Sequence, residues 1–191
     1  MKEIWLNNIE EAKYQLDQLL FYCDFDKLEE ISHIILDAYM KKKNILIAGN
    51  GGSHADALHF AEELTGKFQD ERSPLGAIAL GEATHMSCTS NDFGFQHVFE
   101  RQVRALGKNG DVLILLSTSG NSENLILAAM AAKVMNIKTI ALLGKDGGAL
   151  KDIVDIHYIV PGETSDRIQE LHMLLLHTLV EVIENELFPV G

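Results

Sequence analysis

Apolar residues along this chain follow two different rhythms. Up to Met40 they recur every three or four positions, as in Leu28, Ile31, Ile34, Ile35 and Ala38. That spacing predicts two amphipathic helices, about Lys2 to Leu20 and Asp26 to Met40. From Asn44 onward, short apolar runs alternate with segments of helix length. Asn44 to Ala48, Gly76 to Leu80, Asp111 to Leu116, Lys138 to Leu143 and Ile153 to Val160 read as buried strands, with helices over Ser53 to Thr65, Phe95 to Gly107 and Ser122 to Met135. Strands apolar on both faces and separated by helices predict an α/β fold, a doubly wound five-stranded parallel sheet flanked by helices. A long final helix is expected from Thr164 to Leu187, stopped by Pro189. Its apolar face, Leu171, Leu174, Leu175, Leu179, Val182 and Ile183, suits burial against the sheet or contact with another subunit.

At 191 residues and 47% hydrophobic, the chain has material for one core. It contains no repeat, low-complexity tract or Pro-rich linker. The expectation is a single domain over residues 1–191, with an N-terminal helical segment (1–41) and a sheet-and-helix core (44–187). The formal charge of −12 opposes nucleic acid, whose phosphates demand clustered Lys and Arg. No apolar run approaches the roughly 18 residues of a membrane span, and the N-terminus mixes acids into a helical pattern where a targeting signal would be basic and then apolar. Cys23 and Cys88 make no disulfide framework. A cytoplasmic protein is expected, with no membrane or nucleic-acid partner.

Two strand-to-helix loops carry the chemical signal. In NILIAGNGGSHADALHFAEEL a strand passes through Gly49, Asn50, Gly51, Gly52 and Ser53 into a helix, whose free N–H groups suit an anion. His54 stands where a GxGxxG fingerprint needs its last glycine, and no Lys-Ser or Lys-Thr follows, so nucleotide binding is disfavoured. In DVLILLSTSGNSENLILAAMAAK the loop is Ser117, Thr118, Ser119, Gly120, Asn121 and Ser122. Helix capping would need one such residue, whereas several hydroxyls beside a helix N-terminus can bind a phosphate without a buried cation. Both loops fall at carboxyl ends of strands, where open α/β sheets bind ligands.

With both loops in hand, GNGGS and STSGNS resemble the sugar isomerase (SIS) domain family. The longer strings GNGGSHADALHFAEELTGKF, NDFGFQHVFERQV and DRIQELHMLLLH resemble its phosphoheptose isomerases, over about Ile45 to Glu184. Interconverting an aldose and a ketose requires a base at carbon, an acid at oxygen and stabilisation of the enediol charge. His59 and Glu63 are four residues apart and share one helix face, as an ordinary surface salt link would. Gln169 and His177 are eight residues apart, roughly 12 Å along a helix, so either their side chains lean together or one serves another subunit.

The resemblance implies that His59, Glu63, Gln169 and His177 can hold one zinc per subunit, not necessarily essential, with Glu63 as the proton-abstracting base and His177 as the acid. It places Asn50, Gly51, Gly52, Ser117, Thr118, Ser119 and Ser122 around the sugar phosphate, with Glu63 and Gln169 also touching substrate and Asn91 and Asp92 toward the hydroxyls. Asp166 is a candidate supporting residue, His172 a structural one, and Gly147 with Gly148 a family loop or a plain turn. The implied reaction is isomerisation of sedoheptulose 7-phosphate to D-glycero-D-manno-heptose 7-phosphate, opening ADP-heptose synthesis for lipopolysaccharide or another surface glycan. A homotetramer with sites between subunits is implied as well. Three rivals are an isomerase of another sugar phosphate, a sugar-phosphate-sensing regulator, for which no DNA-binding segment accompanies the domain, and a non-catalytic paralogue that binds the replication initiator and whose tail resembles the ELFP here. Retention of His59, Glu63 and His177 favours the enzyme.

Overall fold

Alternate residues of the central strands enter two separate apolar layers. In the computed structural model, which describes residues 1–189, Ile45, Ile47, Val112, Ile114, Leu116, Ile140 and Leu142 face one core. Leu46, Ala48, Leu113, Leu115, Ala141 and Leu143 face the other. Two-sided burial of this kind explains strands with no polar alternation.

The strands are β1 (Ile45–Gly49), β2 (Ala77–Ala79), β3 (Val112–Ser117), β4 (Lys138–Leu143) and β5 (Ile156–Ile159). They form one parallel sheet in the order β2-β1-β3-β4-β5. The helices are α1 (Lys2–Phe21), α2 (Phe25–Met40), α3 (Gly52–Thr65), α4 (Ala83–Phe93), α5 (Val98–Leu106), α6 (Glu123–Val134) and α7 (Ser165–Leu187). Helices α2, α3 and α7 cover the first core through residues such as Ile35, Phe60 and Leu176. Helices α5 and α6 cover the second through Phe99, Val103, Leu125 and Ala128. Val190 and Gly191, the last residues of the expected domain, lie outside the described ones.

Four expectations are corrected. Residues Ile153 to Val160 do not form one strand: a 3-10 turn, Leu150–Asp152, precedes a shorter β5. β2 is not buried, because it is the sheet's edge and Ile78 is 40% exposed. Phe95 to Gly107 divides into a 3-10 turn, Phe95–His97, and α5. Helix α4 has no counterpart in the expected elements, since ATHMSCTSNDF lacks an apolar stripe; Glu82 starts it by accepting from the N–H groups of Thr84 and His85 at 2.9 Å each.

The face of α7 divides between its two readings. Leu171, Leu175, Leu179 and Ile183 are buried, whereas Leu174 remains exposed. Helix α1 buries only Leu19 and leaves Trp5, Ile9, Leu20 and Phe21 open.

His172 ties α7 to the sheet. It is fully buried, and its Nε2 lies 3.1 Å from the Leu143 carbonyl at the end of β4. Burial pushes its pKa down from 6.5 to about 4. In acid the unfolded chain therefore takes up this proton before the folded one does. The neutral ring's contribution is complete above the unfolded value of 6.5 and is lost as pH falls from there toward 4, about 3 kcal/mol in all. Urea unfolding across that window should show a steeper acid loss for the native protein than for His172→Leu, which is less stable at neutral pH. Equal slopes would contradict this account.

Candidate active site

The strand order places the carboxyl ends of β1 and β3 side by side, on either side of the point where the winding reverses. The loops leaving these strands therefore meet. Asn50 and Asn124, at the base of α6, lock them with a reciprocal amide pair: each side-chain NH2 donates to the other's carbonyl, at 3.0 and 2.9 Å. Gly51 opens α3 at φ +56°, ψ −122°, a conformation that L-residues resist. Its turn leaves the backbone open to a ligand, since a Cβ there would meet nothing within 4 Å.

A cavity of about 280 Å³ lies between the loops, lined by Asn50, Gly51, Gly52, Ser53, Ser117, Thr118, Ser119, Ser122, Ser165 and Gln169. The hydroxyls have different duties. Ser117 is buried and its Oγ accepts from the Gly120 N–H at 3.0 Å, which turns it to holding the loop. Ser119 accepts from the Asn121 N–H at 3.2 Å, and Thr118 meets Ser165 at 3.1 Å. Ser122 sits at the N-cap of α6 without a side-chain cap bond, leaving its hydroxyl and the helix's first N–H groups to an anion.

Gly147 and Gly148 are more than a plain turn. They pack directly on Ser119 and Gly120, leaving no room for a Cβ at Gly120, whose φ is +65°. The Leu150 N–H bonds the Gly120 carbonyl at 3.0 Å, and the Ala149 N–H bonds Asn121 Oδ1 at 3.0 Å. This segment braces the hydroxyl loop from behind.

A second cluster lies farther along α3. His59 and Glu63 face His177 of α7, because α3 and α7 pack side by side on one core. Glu63 Oε1 is 3.2 Å from His59 Nε2 and 3.3 Å from His177 Nε2. The two imidazoles meet edge to face at 5.1 Å, and Phe68 stacks on His177 at 5.9 Å with 21° between the rings. The Glu63 side chain is only 8% exposed, against 49% and 38% for the two histidines. Its Oε2 is buried without a partner. Burial raises the Glu63 pKa, and the neighbouring His177 and His59 partly oppose the rise. A buried carboxylate with one oxygen uncommitted is suited to proton transfer.

The remaining expected residues fall elsewhere. The Gln169 amide donates to Ser53 Oγ at 3.2 Å and lies over Gly52, so it belongs with the loops and not beside the three-residue cluster. Asn91 and Asp92 do not line the loop cavity; they are exposed, with Asn91 donating to Asp92 at 2.7 Å. Asp166 is exposed and pairs with Arg167 at 3.4 Å. Sequence reasoning missed Ser53, Ser165 and Phe68. Ser53, inside the GNGGS string, and Phe68, at the end of the longer string that begins there, carried a local signal; Ser165 carried none.

The SIS domain family matches residues 10–144. The phosphoheptose isomerase of Fusobacterium nucleatum is 47% identical over 161 residues, spanning 84% of this chain and 83% of that protein. This chain belongs to the SIS domain family, among the phosphoheptose isomerases. The phosphoheptose isomerase of Aeromonas hydrophila is 42% identical over 97% of this chain and 98% of its own length. The solved phosphoheptose isomerase of Neisseria gonorrhoeae superposes with a TM-score of 0.90 at 38% identity, covering 96% of this chain and 98% of that one. The SIS fold of these isomerases is thus present along nearly the whole chain.

Proposed function

We propose that this protein converts sedoheptulose 7-phosphate into D-glycero-D-manno-heptose 7-phosphate, in the cytoplasm, as the first step of ADP-heptose synthesis for lipopolysaccharide or another surface glycan. The observation that carries this reading is the buried Glu63 carboxylate between two imidazoles, with Oε2 uncommitted, in a chain so similar to proteins of that name. Glu63 takes a proton from C1 of the ketose. The electron pair left behind forms the C1–C2 double bond while protonated His177 gives a proton to the C2 oxygen, yielding an enediol. His177 then removes the O1 proton as Glu63 returns its own to C2, leaving the aldehyde at C1. Glu63 and His177 each end as they began.

The donor set also fits a cation. Two imidazole nitrogens and a carboxylate oxygen lie within 4.8 Å of one another, and Glu63 Oε2 lacks a partner. We infer that His59, Glu63 and His177 would hold one zinc per subunit, with a fourth ligand from substrate, water or the Gln169 of a second subunit. When bound, the ion supplies Lewis acidity to the sugar's carbonyl and hydroxyl oxygens.

Phosphate and reacting carbon are proposed to be held by different subunits. From Gly52 to Glu63 the rise along α3 is about 16 Å, longer than a heptose phosphate reaches. Loops of one subunit and the His59, Glu63 and His177 cluster of another would then close on one sugar in a homotetramer, with Asn91 and Asp92 available to its hydroxyls. The apolar residues left open on α1 support association. No helix among the described residues is long and apolar enough to cross a membrane.

Glu63→Gln should lower turnover of sedoheptulose 7-phosphate by about 10²- to 10⁴-fold, with the native enzyme assayed beside it with zinc and with chelator. A folded native protein inactive under every metal condition would exclude the heptose substrate and favour another sugar phosphate or the initiator-binding paralogue. Light scattering should give the mass of a tetramer; a monodisperse monomer would remove the shared site.

A further inference from the structure

The segment after α3, residues 66–76, is anchored near its middle by a buried guanidinium, while at its far end the Leu75 N–H bonds the Leu64 carbonyl and the Gly76 carbonyl accepts from the Ile45 N–H. Arg72 is 1% exposed at its side chain and donates through Nε to Glu184 Oε1 of α7 at 2.7 Å. One of its terminal nitrogens donates to the Glu63 carbonyl at 2.8 Å, the other to the Leu64 carbonyl at 2.8 Å. These are carbonyls of the last turn of α3, which lack helical partners and form the negative end of its dipole. The other oxygen of Glu184 accepts from the Gln69 N–H at 3.3 Å. The fork thus joins the end of the helix that carries Glu63, the helix that carries His177, and the segment between them. Lys could not do this, because it lacks a planar fork.

The same segment carries Phe68, whose ring stacks on His177. Glu184 follows His177 by two helical turns, on the same side of α7. Fixing residues 66–76 to Glu184 therefore holds Phe68 against the imidazole, while the bond to the Glu63 carbonyl holds the backbone of the base.

We propose that Arg72, paired with Glu184, is a positioning residue that sets Glu63 and His177 in register for proton transfer through the Phe68 strap. This rests on the isomerase reading above. Arg72 touches neither substrate nor the reacting atoms, so its removal alters the rate of chemistry and not sugar affinity. Misplacement of a transferring group by about 1 Å can cost on the order of 10²-fold.

The test compares the native full-length protein with Arg72→Met/Glu184→Met, Arg72→Lys and Phe68→Leu. The double variant removes both buried charges together, so neither is left unpaired. With sedoheptulose 7-phosphate, the double variant and Phe68→Leu should lose about 10-fold or more in kcat with KM within about 2-fold, and Arg72→Lys should fall between. Proton NMR adds a readout independent of turnover: the ring-current shift that Phe68 imposes on the His177 imidazole should vanish in the double variant as it does in Phe68→Leu. Native kcat in the double variant, a loss confined to KM, or an unchanged His177 shift would overturn the proposal. If the double variant does not fold, Arg72→Lys and Phe68→Leu decide by the same criteria. A native protein without activity speaks against the isomerase reading, and the His177 shift then decides the role of Arg72.

Discussion

The cluster of His59, Glu63 and His177 depends on α3 and α7 lying side by side on the same apolar core. Phe60 and Leu64 of α3 and Leu171, Leu176 and Ile183 of α7 share that core. Their packing brings His177 to 3.3 Å from the Glu63 carboxylate, which His59 already meets at 3.2 Å along α3. Burying a carboxylate is unfavourable unless it has partners. His59 and His177 supply them to one oxygen only, and the other is buried without a partner, surroundings that suit a carboxylate to the proposed proton transfer. The hydrophobic packing that stabilises the fold thus also sets the burial that raises the Glu63 pKa.

The second proposed requirement, grip on a phosphate, would be met without charge. The chain carries a net charge of −12, yet the cavity between the β1 and β3 loops offers hydroxyls, backbone N–H groups and the N-termini of α3 and α6. Sheet topology creates this meeting, because β1 and β3 are neighbours from which the chain winds in opposite directions. Ser117, the Asn50 and Asn124 amides and the Gly147 turn then hold the loops from behind. The neutral donors are thus pre-organised by hydrogen bonds and packing among the loops themselves.

Much of this was legible in the chain itself. Strands buried on both faces show as unbroken apolar runs, and the loops GNGGS and STSGNS are contiguous strings whose residue types state their use. The i,i+4 spacing of His59 and Glu63 was readable for the same reason. What escaped notice is long-range or locally weak. Arg72 and Glu184 are 112 positions apart, and Phe68 meets His177 only because a segment folds back. Helix α4 is polar, and a carboxylate cap starts it. The inward turn of Ser117 could not be told from the outward reach of Ser122, since both are serines on one loop. Gln169 illustrates the opposite limit: its distance from His177 along the helix was readable, and the structure places it with the β1 and β3 loops.

Proton transfer through an enediol at Glu63 is the central claim, and hydrogen exchange reads it most directly. Sedoheptulose 7-phosphate should be equilibrated with the enzyme in D2O for many turnovers and followed by NMR. The account predicts solvent deuterium at C2 of the aldose and at C1 of the recovered ketose, with both signals lost in Glu63→Gln. Product that retains only protium, or undiminished exchange in the Glu63→Gln protein, would contradict it.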